Sequence, residues 1–150
     1  MPGSRGHLRN CDIYDQDNNR VYSSDVHIAD FDCNCYGQLI VLTGKAADLY
    51  MDRNTVLEVE TGKKHCKSLH PRINNKGECV WVRRYYWIGK DWFDVIHSST
   101  RGILWRGNWR YERDTVRDLD LNDYGDIAWI RVSNDGRTET RTSVHVLHGC

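Results

Sequence analysis

The chain has 150 residues, with 21 basic and 21 acidic side chains, and no stretch comes near the ~18 consecutive apolar residues of a membrane span. Its zero net charge argues against a dedicated duplex-DNA binder, which shows a basic excess. Residues 1–10 are polar and basic and read as a tag-like tail; 11–150 read as a single β-rich domain, long enough to bury about 70% of its unfolded surface.

Taken in order, a short strand over 12–14 precedes the turn-forming cluster Asp15-Gln16-Asp17-Asn18-Asn19, whose side chains bond their own backbone. Alternation predicts a strand over 20–28, and 30–36 reads as a loop pinned by Cys33 and Cys35. The apolar run 38–43, between Gly37 and Gly44, has the length of a fully buried strand. Two further strands, 48–51 and 55–60, flank a turn at 52–54. The segment 62–77 is rich in Lys, His, Asn and Gly and reads as a basic, solvated loop.

Residues 80–87, 92–97 and 103–105 form a three-strand meander with turns at Gly89-Lys90-Asp91 and 98–102. Five of the six tryptophans fall between 78 and 111. Segment 110–121 is the sole helix candidate, with Val116 and Leu119 at i, i+3 and Arg113 and Arg117 at i, i+4. Strands 127–133 and 138–147 close a hairpin on Asn134-Asp135-Gly136, since Asn-Gly and Asp-Gly pairs tolerate positive φ. Short strands with frequent turns and at most one short helix predict an all-β, single-domain antiparallel β-barrel or sandwich.

Six cysteines, at 11, 33, 35, 66, 79 and 150, are an even set suited to an oxidised, secreted protein stapled by disulfides. Cys11 with Cys150 would tie the ends together, leaving Cys33 and Cys35 to bridge Cys66 and Cys79 in either order. Zinc is the competing use of Cys33, Cys35, Cys66 and Cys79 with His65 and His70, but paired Cys-x2-Cys knuckles are missing. No metal or cofactor is therefore expected.

Segments 91–105 and 128–137 both read Trp-apolar-polar-Val followed by a turn, and 46–51 has the pattern of an opening strand. Together they resemble the bacterial-type SH3 (SH3b) modules, over about a third of the chain and without the loop expected there. That resemblance implies a small barrel binding cell-wall glycan or peptide through exposed aromatics. Apart from it, Trp105, Arg106, Trp109, Arg110 and Tyr111 gather around Gly107-Asn108, where rings and guanidinium groups can stack on a glycan or protein partner. Trp81, Trp87, Trp92 and Trp129 are candidates for core filling instead.

The last predicted strand projects Glu139, Arg141, Ser143 and His145 from one face. A carboxylate, a guanidinium and an imidazole so placed could serve as base, phosphate clamp and acid in RNA cleavage, with His97 joining if its strand lies adjacent. Segment 129–136 with His145 loosely resembles the last hairpin of small microbial ribonucleases. The leading expectation is a secreted, non-catalytic binding module of effector or lectin type. Endoribonuclease comes second, and third an assembly subunit whose tryptophans are buried between protomers of a homo-oligomer.

Overall fold

The computed structural model describes residues 11–44, 54–86, 92–137 and 140–149. These hold thirteen strands and no helix: β1 Cys11–Tyr14, β2 Arg20–Ser24, β3 Ile28–Cys33, β4 Leu39–Thr43, β5 Thr55–Glu58, β6 Lys63–Cys66 and β7 Ser68–Ile73. There follow β8 Cys79–Tyr86, β9 Trp92–Ser98, β10 Gly102–Arg106, β11 Arg113–Leu121, β12 Ile127–Asn134 and β13 Arg141–Leu147. The all-β expectation holds. No sheet closes into a barrel: β1–β2 is a separate hairpin, β3 to β6 form a four-stranded sheet, and β7 to β13 share a seven-stranded one.

The organisation is a repeated unit. Each of β3–β6, β7–β10 and β11–β13 is an antiparallel meander. A two-residue parallel bridge, Arg113 to Trp92 and Asp114 to Phe93, joins the third unit to the second. Every unit opens on the same turn, begun by Asn34, Asn74 or Asn122. In each, the asparagine carbonyl accepts the N–H of the glycine three residues on, at 3.1 Å. Its Oδ1 accepts two further N–H groups, at 2.9–3.1 Å. Gly37, Gly77 and Gly125 stand at φ 78°, 82° and 80°, a region closed to most side chains. The β1–β2 hairpin repeats the geometry with Asp15 as acceptor and Asn18 at φ 64°.

Packing repeats as well. Ile40, Leu42 and Val56 of the first unit meet Ile73, Cys79 and Trp81 of the second. One unit later, Val80, Val82 and Ile96 meet Ile127 and Trp129 of the third, together with Val116 and Leu119. Among the described residues no further strands cover the outer face of the third unit, and Val144, at the position of Ile96, is 72% exposed.

Several sequence expectations change here. Residues 110–121 are not helical: β11 runs through them with a bulge between Val116 and Asp118. The extra residue resets the two-residue alternation, so Val116 and Leu119, three apart, both face the core. A helical spacing is thus produced by a bulged strand. The predicted loop 62–77 holds β6 and β7. Lys67 and His70 take positive φ and Pro71 sits in a bulge of β7, where no ladder N–H is required. Most of the pinned loop 30–36 is strand β3. The predicted strand 48–51, the turn 89–91, Trp87 and Glu139 lie outside the described residues.

The expected bridges of Cys33 and Cys35 with Cys66 and Cys79 are not formed. Cys11, Cys33, Cys35, Cys66 and Cys79 are all unbonded. Cys33 ends β3, Cys35 sits within the surface turn that follows and Cys66 ends an outer strand, whereas Cys79 points into the packed seam between the first two units. Cys150 lies outside the described residues, and its proposed partner Cys11 has its Sγ 4.0 Å from His27 Nδ1.

Candidate binding cleft

The final hairpin puts Trp129 opposite His145, Arg131 opposite Ser143 and Ser133 opposite Arg141. Directly opposed residues share a face, so six side chains rise from one side of β12 and β13. Over them folds the connection between the second and third units, residues 107–112. Gly107 permits this: a Cβ there would lie 2.9 Å from the Asp114 carbonyl oxygen and 3.0 Å from that of Asp94. The loop is then tied down by Asn108 N–H donating to Asp114 Oδ2 at 2.7 Å and Tyr111 N–H to the Asn108 carbonyl at 3.1 Å. The result is a cleft of about 470 Å³ lined by Tyr111, Arg131, Ser133, Asp135, Arg141, Thr142, Ser143 and His145.

Asp114 organises the cleft from below. Fully buried, it takes a bidentate contact from Arg131, with Nε at 2.7 Å and the terminal nitrogen at 2.8 Å. This contact holds the Arg131 guanidinium above its ordinary pKa, outweighing partial burial. A charged pair of this geometry fixes the fork in one plane, 5.6 Å over the Trp105 ring and 6.0 Å from the Tyr111 ring. Trp105 packs against Trp129 at 5.7 Å, and Trp129 stacks on His145 at 5.5 Å. Ser143 Oγ and His145 Nε2 are 2.8 Å apart at the rim. The cleft therefore has a mostly polar lining that includes a locked guanidinium and the Tyr111 and His145 rings, with Trp105 and Trp129 packed behind it.

The expected site residues divide. Tyr111 lines the cleft and Trp105 lies beneath it. Arg106 leaves β10 on the opposite face, in register with Val95. Trp109, half exposed, carries Arg110 over its ring at 5.2 Å on the outside of the loop. Of the ribonuclease set, Arg141 and His145 share the cleft, but His97 does not line it: it stacks on Trp81, one unit away. Trp81 and Trp129 are core, as expected of them, while Trp92 is half-buried under Arg113 and Arg84. The zinc alternative does not assemble, since no group of three metal-ligating side chains converges among the described residues.

Sequence reading missed Arg131, Asp114 and Asp135. A signal was available in the repeated Trp-x-Arg of 81–83 and 129–131, each on the second strand of its unit. The comparison of 91–105 with 128–137 hid it by aligning the third strand of one unit with the second of another. No protein-family model, curated protein or solved structure matches the chain.

Proposed function

We propose that the chain is a non-catalytic binding module whose cleft between residues 107–112 and the β12–β13 hairpin takes a glycan. The cleft's lining carries the reading. Ser133, Thr142 and Ser143 offer hydroxyls that both donate and accept, Asp135 accepts, and Arg141 donates. Tyr111 supplies a face for the C–H surface of a sugar ring. Arg131, neutralised by Asp114, presents a fixed planar edge rather than a mobile charge. A mostly polar lining with the Tyr111 ring beside it suits a hydroxyl-rich ligand better than an apolar one. Secretion belongs to the same reading and rests on the even cysteine count alone.

Titration with neutral and uronate-bearing oligosaccharides, followed by calorimetry and by the amide and indole resonances of the cleft, tests the proposal. Tyr111→Ala and Arg141→Ala are each expected to weaken binding about tenfold, the scale of one lost charge-assisted hydrogen bond or ring contact. A panel that leaves the Tyr111 and His145 resonances unmoved at millimolar sugar would overturn it.

One observation favours a second reading. Arg141, Ser143 and His145 share the cleft, with the imidazole already hydrogen-bonded, as ribonuclease chemistry with Glu139 as its base would use them. Cleavage of bulk RNA that disappears in a folded His145→Ala variant would establish that reading over the first.

A further inference from the structure

Trp81 and His97 oppose each other on β8 and β9 and stack at 5.8 Å. They are the counterparts of Trp129 and His145, and Arg83 is the counterpart of Arg131. Beyond this the two units differ. Arg131 is neutralised by Asp114, eight residues ahead of Asn122; the same place ahead of Asn74 holds Cys66 instead of a carboxylate. Arg83 stands opposite Val95, and Val95 opposite Arg106. Two guanidinium groups therefore leave one face of the sheet in a single row, the Arg83 group 5.0 Å over the Tyr85 ring, and His97 stands on the same face in the neighbouring row beside Trp81.

Among the described residues, no acidic side chain lies within ion-pairing distance of Arg83 or Arg106. Arg83 Nε and His97 Nε2 are both shut off from solvent with no hydrogen-bond partner. Buried polar atoms left unpaired in a native fold call for a specific explanation, and a missing ligand is one. The floor beneath them is rigid: His65 of β6 stacks on Trp81 at 3.8 Å and is anchored to Glu58 at 2.7 Å.

We propose that Arg83, His97 and Arg106 form a second ligand site, distinct from the glycan cleft, for a tetrahedral oxyanion such as a phosphate or sulfate ester group. Two planar forks and an imidazole nitrogen match an ion carrying several acceptor oxygens. Burial, then repulsion from Arg83, His65 and Arg106, keeps His97 below the ordinary histidine pKa. An anion seated between the arginines offsets that repulsion and pushes the value back up.

The test is titration of the full chain with inorganic phosphate and, separately, inorganic sulfate, at constant ionic strength set with chloride. The His97 Cε1–H and Trp81 indole resonances are followed. Saturable shifts are expected with either dianion, together with a rise in the His97 titration midpoint. Arg83→Gln and Arg106→Gln should each weaken the response at least fivefold, and Arg106, being exposed, should be replaceable without unfolding the chain. Tighter binding of one dianion identifies which ester class the site takes. An equal response to chloride, an unmoved His97 midpoint, or full binding by the folded Arg106→Gln variant would each overturn the site. Tyr111→Ala and Arg141→Ala should leave these shifts intact, which separates this result from the fate of the glycan reading.

Discussion

Asn74 donates its side-chain amide to the main-chain carbonyl of Asn122, 48 residues on, at 3.1 Å, as Asn34 does to the carbonyl of Asn74 at 3.0 Å. One buried amide thus closes its own turn through Oδ1 and locks it to the next turn through Nδ2. Asn75 adds a second tie, its N–H and Nδ2 donating to Asp123 at 2.8 and 2.9 Å. Asn74→Ala strands two N–H groups and removes the tie to the Asn122 carbonyl, which keeps its bond from Gly125 N–H, and should destabilise the fold by about 2–4 kcal/mol in urea denaturation. Asn74→Asp keeps the acceptor and removes only the donor, so it should lie between the variant and the parent protein. An alanine variant within 0.5 kcal/mol of the parent, below the ~1–3 kcal/mol of even one unsatisfied group, would show that the turns are independent.

Unit packing makes a paired prediction. Ile96 is fully buried beneath the third unit, while Val144, its positional equivalent, is largely exposed. Ile96→Ala should lower stability by about 2–4 kcal/mol, the transfer and cavity terms acting together. Val144→Ala should change it by less than about 0.5 kcal/mol, as a surface substitution does. Equal losses would mean that the third unit's far face is covered in solution.

Thiol chemistry should separate the cysteines by place. Cys79 is buried, and loss of solvent, with Glu58 nearby, pushes its thiol up to about 12. It should resist alkylation at neutral pH because the thiolate is the nucleophile. Cys33, Cys35 and Cys66 are exposed and unbonded, so they should react within minutes of adding iodoacetamide, as read by mass spectrometry. Protection of these three with reactivity returning only after reduction would reveal bridges, and with them the oxidised setting of the secreted reading.

Acid should weaken the fold in two stages. His70 and His97 both lie below the ordinary histidine value of 6.5, in each case first through burial and then through neighbouring cations such as Arg72 and Arg83. Their unfolded forms therefore bind protons more readily than their folded forms, and stability falls as pH drops below about 6.5. A second loss follows below the carboxylate range. There Glu78, held low despite its burial by Arg101, Ser98 and Thr100, takes up its proton. Thermal melts from pH 8 to pH 3 check both stages, and His97→Gln should reduce the first to the share of His70 while sparing the second.

Much of the strand pattern could be read in advance. The meander of β8, β9 and β10 and the β12–β13 hairpin follow from local rules, because turn residues and β-branched runs act over a few bonds. Asn-x-x-Gly recurs at 34, 74 and 122 in plain view, yet its meaning depends on hydrogen bonds between turns 40 and 48 residues apart. The supposed helix shows the limit of periodicity, since a bulge at Arg117 in β11 reproduces a three-residue spacing without a helical turn. The cleft was half legible: Tyr111, Arg141 and His145 stood among the candidates, whereas Arg131 drew no notice because only Asp114 gives it a fixed position.

Composition and local stereochemistry alone determined that this protein is a sheet protein, with glycine where φ turns positive and apolar runs where strands are buried. Which sheet faces meet, which cysteines stay apart and which arginine is neutralised were decided by the tertiary structure. Those outcomes depend on the stacking of one unit on the next. Asp114 neutralises Arg131 because strand pairing brings two positions 17 residues apart into a buried bidentate contact. Cys66 holds the corresponding place one unit earlier, so no carboxylate meets Arg83 from there.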